Sequence, residues 1–489
     1  MHLEHDKRHD FLVEKLPPTD LGAYKRLAKR WDHRLSYESL TQGASPLKDS
    51  SKTLNPSATI PFSTGRPTSL YFPWQSMIMA ETEECRQSQG FNYRTQRMEC
   101  QKGETAFDLS CALNYAEPAG CSQLVDFFRK NTGLIHNPPY QDWDTTLTCG
   151  STSAIEMALR MFCNRGDWVL TETFTYSGTL MALRAQGLKT QGIEMDDDGL
   201  IPEDLDTKLR FWDTAQGRKP FFLYIIPSGQ NPTGTTQSTA RKHAIYQVAE
   251  KHDLVILEDD PYFFLRLSGS SSSLLDTRPF DRLRTSLPTS YLSLDKSGRV
   301  IRVESTSKIF APGLRCGWLT ASKQIIETFA NFAEVGPSSP SGPSQVMLYK
   351  LLVEKWGQEG FVDWISHLSG EYRLRRDIMI AACEKHLPKN ICTWTTPTHG
   401  MFLWVTVNLQ KYPHCVEKRA EQQCDHIENK IAERAEAHGV LVARGSWFNV
   451  ESFTDKVFFR MTFVATDSQD NLEQGVEKFG RAVKEEFRM

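Results

Sequence analysis

The fold is decided by one stretch: Ser305-Thr306-Ser307-Lys308-Ile309-Phe310-Ala311-Pro312-Gly313-Leu314-Arg315-Cys316-Gly317-Trp318. It places Lys308 directly after the apolar run 300–305, among small hydroxyl side chains and shortly before Arg315. A lysine that forms a Schiff base must be held at low pKa beside an anionic cofactor, and hydroxyls with an arginine suit that cofactor's phosphate. The stretch therefore predicts a covalent cofactor site rather than a solvated loop lysine.

Short apolar runs alternate with helical stretches on both sides of this motif. The runs lie at 145–149, 168–172, 221–226, 254–259, 300–305 and 317–321. Each is rich in β-forming residues and almost continuously apolar, as expected of strands that helices cover on both faces. The pattern predicts an α/β domain with a mostly parallel sheet.

Changes in composition divide the chain into four predicted parts. Residues 1–60 are polar and rich in Ser, Lys, Gly and Pro toward their end, which is typical of an arm without a fold of its own. A turn-rich stretch from Val335 precedes long helical patterns and a few strands. We expect an N-terminal part of a small domain at 61–110, a large cofactor-binding domain at 111–334, and a C-terminal small α+β domain at 335–489.

Composition excludes several classes of protein. A chain of 489 residues is too long for a lone small binding module, and a 39% hydrophobic share argues against wholesale disorder. A formal charge of −3 gives no general attraction to nucleic acid or to an anionic membrane, so we expect small-molecule partners. The cysteines are scattered and form no C-x-x-C pair, so we expect no metal site. The sequence shows no apolar leader and no membrane span, so we expect a cytoplasmic protein.

Two further motifs follow predicted strands. Asn231 opens the turn NPTG after the run 221–226, at a strand end where open α/β sheets bind ligands. Asp259 ends the next run and is followed by Asp260 and Tyr262. A carboxylate at such a strand end can hold a protonated ring nitrogen of a bound ligand, and a solvated acidic strand end is the alternative. Both Asp259 and Asp260 are candidates for this role, one register apart.

Anion-binding residues are predicted at two other places. Ser151 and Thr152 stand between a strand and a helical pattern, where backbone N–H groups and hydroxyls form an anion site; a simple helix cap is the alternative. Arg460 lies among apolar residues in VFFRMTF at 457–463, where a guanidinium needs an anionic partner. That partner is either a substrate carboxylate or a structural acid.

Together these motifs resemble those of the fold-type I, class I pyridoxal-phosphate (PLP) aminotransferases, in particular the aromatic, 2-aminoadipate and kynurenine aminotransferase branch. The resemblance extends from about Tyr71 to the C-terminus. It implies the PLP-transferase fold type I, pyridoxal 5'-phosphate as cofactor, and a homodimer. The implied catalytic residues are Lys308, Asp259 and Tyr262.

The resemblance also implies a set of side chains around the cofactor's phosphate, ring and phenolic oxygen. They are Ser151, Thr152, Tyr176, Asn231, Asp259, Tyr262, Ser305, Ser307, Lys308, Arg315 and Tyr115. Tyr176 would stack on the pyridine ring, although an ordinary core tyrosine is the alternative. Tyr115 would cross the dimer interface to the neighbouring phosphate. Arg460 would bind the substrate α-carboxylate, together with Asn231.

The predicted function is transfer of the amino group from an aromatic or similarly bulky 2-amino acid to a 2-oxo acid, with ping-pong kinetics. The alternatives are a fold-type I lyase of the carbon–sulfur or aminocyclopropane-forming type, and a PLP-sensing transcription regulator. The regulator needs a basic DNA-binding domain that residues 1–60 do not supply. A family glycine pair before Met401 is replaced by His399-Gly400, so the role of His399 stays open, as do the preferred donor and acceptor.

Overall fold

The computed structural model describes residues 25–43, 62, 65–82, 97–104, 107–268, 279–413, 421–450 and 455–489. The strands in these ranges are β1 Ser76–Met79, β2 Met98–Gln101, β3 Trp143–Thr148, β4 Trp168–Glu172, β5 Lys189–Ile193, β6 Met195–Asp196, β7 Gly199–Leu200, β8 Phe222–Ile225, β9 Val255–Asp259, β10 Val300–Ser305, β11 Gly317–Ser322, β12 Cys392–Trp394, β13 Phe402–Asn408, β14 Ala443–Arg444 and β15 Lys456–Thr462.

The α-helices of the same ranges are α1 Tyr37–Thr41, α2 Leu109–Ala112, α3 Ser122–Ile135, α4 Ser151–Phe162, α5 Ser177–Ala185, α6 Pro202–Arg210, α7 Thr239–Lys251, α8 Pro279–Ser286, α9 Tyr291–Leu294, α10 Lys323–Val335, α11 Gly342–Leu348, α12 Gly357–His386, α13 Glu421–Ala437 and α14 Asp470–Glu486. A π-helical segment, Tyr349–Trp356, joins α11 to α12.

The large sheet has seven strands in the order β3-β11-β10-β9-β8-β4-β5. Four neighbouring pairs, from β10 to β5, are parallel, whereas β11 runs antiparallel to both β10 and β3. This confirms the α/β fold with a mostly parallel sheet. The sequence patterns missed β5 because its residues, KTQGI, are not an apolar run.

Helices cover both faces of the large sheet, because its central strands are apolar on both sides. On β8, Phe222 and Tyr224 belong to one core, whereas Leu223 and Ile225 belong to another on the opposite face. Side chains alternate between faces along a strand. The continuous apolar runs of the sequence are therefore explained by burial on two sides.

The second sheet is antiparallel, in the order β12-β13-β15-β14. Leu403 and Val405 of β13, with Phe459 and Met461 of β15, pack in a core that also contains side chains of α12, α13 and α14. Arg460 lies between two of these core residues, so the alternation of the strand turns it to the opposite face of the sheet. That face looks toward the large sheet.

Of the predicted arm at 1–60, residues 25–43 lie within the described residues, and they pack against the part of the chain that contains the large sheet. Trp31 is fully buried in the main core, and the backbone N–H of Ala28 donates to Asp142 Oδ1 at 2.6 Å. Arg34 forms an ion pair with Asp253 at 3.0 Å. Among the helices that the structure describes, none has both the length and the apolar composition needed to cross a bilayer.

Candidate active site

A cavity of about 610 Å³ opens where strands β3, β4, β8, β9 and β10 reach the same edge of the large sheet. Each strand is followed by a turn that carries polar side chains into the cavity. The predicted site residues that line it are Ser151, Thr152, Tyr176, Asn231, Asp259, Tyr262, Ser305, Ser307, Lys308, Arg315 and Arg460. The structure thus brings together every predicted site residue except Tyr115.

Lys308 lies in the turn after β10, and this turn is held by three hydrogen bonds around it. The Thr306 hydroxyl donates to the Cys316 carbonyl at 2.7 Å, the Phe310 N–H donates to the Thr306 carbonyl at 2.8 Å, and Trp364 Nε1 donates to the Ile309 carbonyl at 2.6 Å. The Lys308 side chain itself is half-buried in the cavity.

Burial lowers the pKa of Lys308, and the nearby positive charges of Arg460 and Arg315 lower it further, while Asp259 opposes them. A depressed pKa increases the share of neutral amine, which is the form that acts as a nucleophile or a base.

Asp259 faces the cavity because side chains alternate between the two faces of the sheet along β9. It lies on the same face of the sheet as Tyr224, whose hydroxyl donates to Asp259 Oδ2 at 2.7 Å. Burial raises the pKa of Asp259 to about 6, and the hydrogen bond from Tyr224 opposes this shift. Asp260 points to the other face, where it contacts Arg302 at 3.1 Å and accepts from the Ser228 hydroxyl at 3.1 Å. Of the two neighbouring acids, Asp259 is the one that lines the cavity.

The start of α4 and the turn after β10 form an anion cradle. Gly150 has a φ of 87°, and a Cβ there would stand 2.5 Å from Arg315 Nη2, so a glycine is required. Arg315 Nη1 lies 3.4 Å from the Ser307 hydroxyl, which also accepts from the Ser305 hydroxyl at 2.9 Å. Hydroxyls, a guanidinium and a helix N-terminus in one place suit a phosphate.

Arg460 and Asn231 meet on the opposite side of the cavity. Arg460 Nη1 donates to Asn231 Oδ1 at 2.7 Å, and the guanidinium lies over the rings of Phe402 and Phe448. Burial lowers the pKa of Arg460, and the groups that raise it are tyrosines rather than acids. Within the described residues, the structural ion pair that was the alternative for Arg460 is therefore not found.

The buried polar atoms of the cavity test whether PLP fits. Asp259 Oδ1 and Ser151 Oγ are both buried and have no hydrogen-bond partner among the residues that the structure describes. Such atoms are costly unless a ligand satisfies them. A pyridinium N–H would satisfy the carboxylate and a phosphate would satisfy the hydroxyl, so the residues present fit this cofactor.

Other residues around the site were not identified from the sequence. Tyr224 was hidden within the apolar run FFLYII, where its phenol was the only polar signal. The cavity wall also includes side chains to which the sequence analysis gave no role in the site: Ile155, Ile226, Tyr372, Met401, Phe402, Thr462, Val464 and Ala465. Tertiary packing brings them together, and no local pattern marks them.

Two residues that the sequence analysis singled out, Tyr115 and His399, lie outside the cavity. Tyr115 is 65% exposed on its own protomer. His399 is buried, with Nδ1 3.2 Å from the Thr398 hydroxyl, and burial lowers its pKa to about 3. It is neither a residue of the cavity wall nor an exposed loop histidine. The adjacent Gly400 packs against Gly229, and a Cβ added at Gly400 would lie 2.9 Å from the Gly229 carbonyl oxygen.

Comparisons with known proteins agree with this geometry. The family model for aminotransferase class I and II matches residues 117–479. The chain is 66% identical to the aminotransferase swnA of Arthroderma benhamiae, over 100% of this chain and 99% of that protein. It is 37% identical to an aromatic amino acid aminotransferase of Schizosaccharomyces pombe, over 94% of this chain and 99% of that one.

Among solved structures, aminotransferase Aro8 from Candida albicans is similar with a TM-score of 0.85 and 34% identity, covering 95% of this chain and 100% of that chain. The residues matched by the family model contain the seven-stranded and the four-stranded sheet, including the strand ends that line the cavity. The chain therefore belongs to the class I and II aminotransferases, and it is a PLP-dependent aminotransferase of fold type I.

Proposed function

We propose that this aminotransferase takes its amino group from an aromatic or similarly bulky 2-amino acid and passes it to a 2-oxo acid in a ping-pong reaction. The observation that carries the proposal is the arrangement around Arg460. Its guanidinium enters a wall of apolar and aromatic side chains without an acidic partner among the described residues. A substrate α-carboxylate supplies the missing anion.

We assign the cofactor to the polar floor of the cavity. Ser151, Ser305, Ser307 and Arg315 would hold the phosphate, and the exposed Thr152 lies at its edge. Asp259 would hold the ring nitrogen, Asn231 and Tyr262 the phenolic oxygen, and Tyr176 one face of the ring. When bound, PLP supplies an electron sink for the pair of electrons released at the substrate Cα.

Lys308 would move the proton of the reaction. Its Nζ, at lowered pKa, would take the proton from the substrate Cα as a general base and then give it up as a general acid at a different carbon, because return to the same Cα would transfer no amino group. Arg460 and Asn231 orient the substrate so that this proton is presented to Nζ. The buried Tyr262 and Phe402, which meet edge to face, keep water away from that part of the cavity.

The cavity wall supports an aromatic donor over an acidic one. Of the described residues that line it, the basic side chains are Lys308, Arg315 and Arg460. The first carries the chemistry, the second belongs to the phosphate cradle and the third pairs with the α-carboxylate. Among the described residues of the cavity wall, no cation is left for a second carboxylate, whereas Tyr372, Phe402 and Met401 offer apolar surface to a ring. The aromatic specificity of the Schizosaccharomyces pombe relative agrees with this choice.

We further propose a cytoplasmic homodimer with composite active sites. Tyr71, Trp74 and Tyr115 are 85%, 61% and 65% exposed on the single protomer. Asn114 Nδ2 donates to the Pro67 carbonyl at 3.0 Å and so joins the two segments that carry these rings. An exposed aromatic surface of this kind suits a second copy of the chain, across which Tyr115 would reach the neighbouring phosphate.

A panel of amino donors tests the proposed specificity. Phe, Tyr, Trp, Asp and Ala are each supplied with 2-oxoglutarate, pyruvate or phenylpyruvate, and the 2-oxo acid product is measured. We expect the highest kcat/KM with an aromatic donor and, when the acceptor is omitted, no more than one equivalent of 2-oxo acid per active site, because the first half of a ping-pong reaction needs no acceptor. Product beyond one equivalent without an acceptor would indicate lyase chemistry, and a preference for Asp would refute the aromatic donor.

A further inference from the structure

Gln230 is a buried side chain that uses its full hydrogen-bonding capacity. It is only 1% exposed. Its Nε2 donates to the Phe174 carbonyl at 2.6 Å and to Glu172 Oε2 at 3.1 Å. Its Oε1 accepts from the backbone N–H and from the hydroxyl of Thr233, both at 2.8 Å. One amide thus has both donor hydrogens and both acceptor positions satisfied.

These bonds join two segments that each contribute to the cavity. One segment follows β4 and leads to Tyr176, and the other is the turn that carries Asn231. The backbone of Gln230 also closes this turn: its N–H donates to the Thr235 carbonyl at 2.8 Å, and its carbonyl accepts from the Gly234 N–H at 2.7 Å. Gln230 therefore fixes the distance between the two segments without lining the cavity itself.

The position of Asn231 in turn directs Arg460, because Asn231 Oδ1 accepts from Arg460 Nη1 at 2.7 Å. We infer that Gln230 is a positioning residue, which aligns Asn231 and through it the guanidinium of Arg460 for a carboxylate ligand. This inference rests on the carboxylate-binding role proposed for Arg460. An apolar side chain at 230 would remove the hydrogen bonds that the Gln230 amide makes to the Phe174 carbonyl and the Thr233 N–H, so the turn would have to move.

The test measures binding of 3-phenylpropanoate, an unreactive aromatic carboxylate, to the holoenzyme by calorimetry. Gln230→Met keeps the length and apolar bulk of the side chain and removes its polar atoms. The matched control is Gln358→Met, because Gln358 also donates to a backbone carbonyl, that of Phe127 at 3.1 Å, and accepts from a side chain, Asn131 at 2.8 Å. Gln358 does not line the cavity.

We expect Gln230→Met to raise the Kd of 3-phenylpropanoate by roughly 10- to 100-fold, since a displacement of about 1 Å in a positioned group has effects of this size. Gln358→Met should leave the Kd within about 2-fold of the native value, although it loses hydrogen bonds of the same kind. Equal Kd values for the two variants would overturn the positioning role, because they would assign Gln230 to stability alone.

Arg460→Ala separates this inference from the proposed function. An unchanged Kd in Arg460→Ala refutes the carboxylate site, whereas a raised Kd there with a native Kd in Gln230→Met refutes only the positioning role. Should Gln230→Met fail to fold, Thr233→Val removes one hydroxyl that donates to Gln230. It should raise the Kd by about 2- to 10-fold, the worth of one hydrogen bond, and a native Kd in that variant would equally overturn the inference.

Discussion

Replacing Asp259 by Asn should change the pH dependence of stability of the cofactor-free protein. In the folded chain the pKa of Asp259 is raised from 3.8 to about 6 by burial. A carboxyl with a raised folded pKa stabilises the fold below its unfolded pKa, and this contribution is lost as the pH rises through the folded value. The difference of about 2 pKa units corresponds to roughly 3 kcal/mol, of which about 2 kcal/mol falls between pH 4 and pH 8.

The assay is urea denaturation of cofactor-stripped native and Asp259→Asn protein across this pH range. The free energy of unfolding of the variant, relative to the native protein, should rise by about 2 kcal/mol from pH 4 to pH 8, because the amide carries no charge. In the native protein the hydrogen bond from Tyr224 lowers the pKa of Asp259, so its loss in Tyr224→Phe should raise that pKa further. The fall in the free energy of unfolding with rising pH should then be steeper in Tyr224→Phe than in the native protein. In the double variant, Tyr224→Phe should leave the trend unchanged.

Parallel pH curves for native protein and Asp259→Asn would refute the reasoning, because they would show that Asp259 does not ionise in a buried site.

The activity of the same variants gives a second, independent result. With PLP bound, Asp259→Asn should lose roughly 10²- to 10⁴-fold in kcat, the effect of about 3–5 kcal/mol for a broken buried charge pair. Asp260→Asn should retain activity, since Asp260 contacts Arg302 and Ser228 instead. The reverse pattern would shift the ring partner to Asp260.

Three other outcomes are expected. Lys308→Ala should lose transamination and the visible absorption of covalently bound PLP; an unaltered spectrum would contradict the assignment. Arg460→Ala should lower kcat/KM for all amino donors alike, by about 2–5 kcal/mol or roughly 30- to 5000-fold, and a loss confined to one donor would indicate a side-chain role. Sedimentation should show a homodimer, and hybrids of Lys308→Ala with Tyr115→Ala subunits should regain activity that neither parent has; an active monomer would exclude shared sites.

The sequence was sufficient for the fold class and for most of the cavity. Buried parallel strands are apolar on both faces, so they appear as continuous runs whatever surrounds them, and 168–172 and 300–305 coincide with β4 and β10. The polar residues that follow such runs share one edge of the sheet. Lys308, Asn231 and Asp259 could therefore be placed together before any contact was known.

The tertiary structure alone decided which of two adjacent acids faces the cavity, since the choice depends on the neighbours of each face of β9. Asp259 meets Tyr224 on one side, and Asp260 meets Arg302 on the other. The sequence by itself determined six of the seven strands of the large sheet, the turns that follow them and the chemistry that these turns carry, because these features follow from local patterns. The apolar wall and the hydrogen bonds of Gln230 join residues far apart in the chain, so only the folded packing could bring them together.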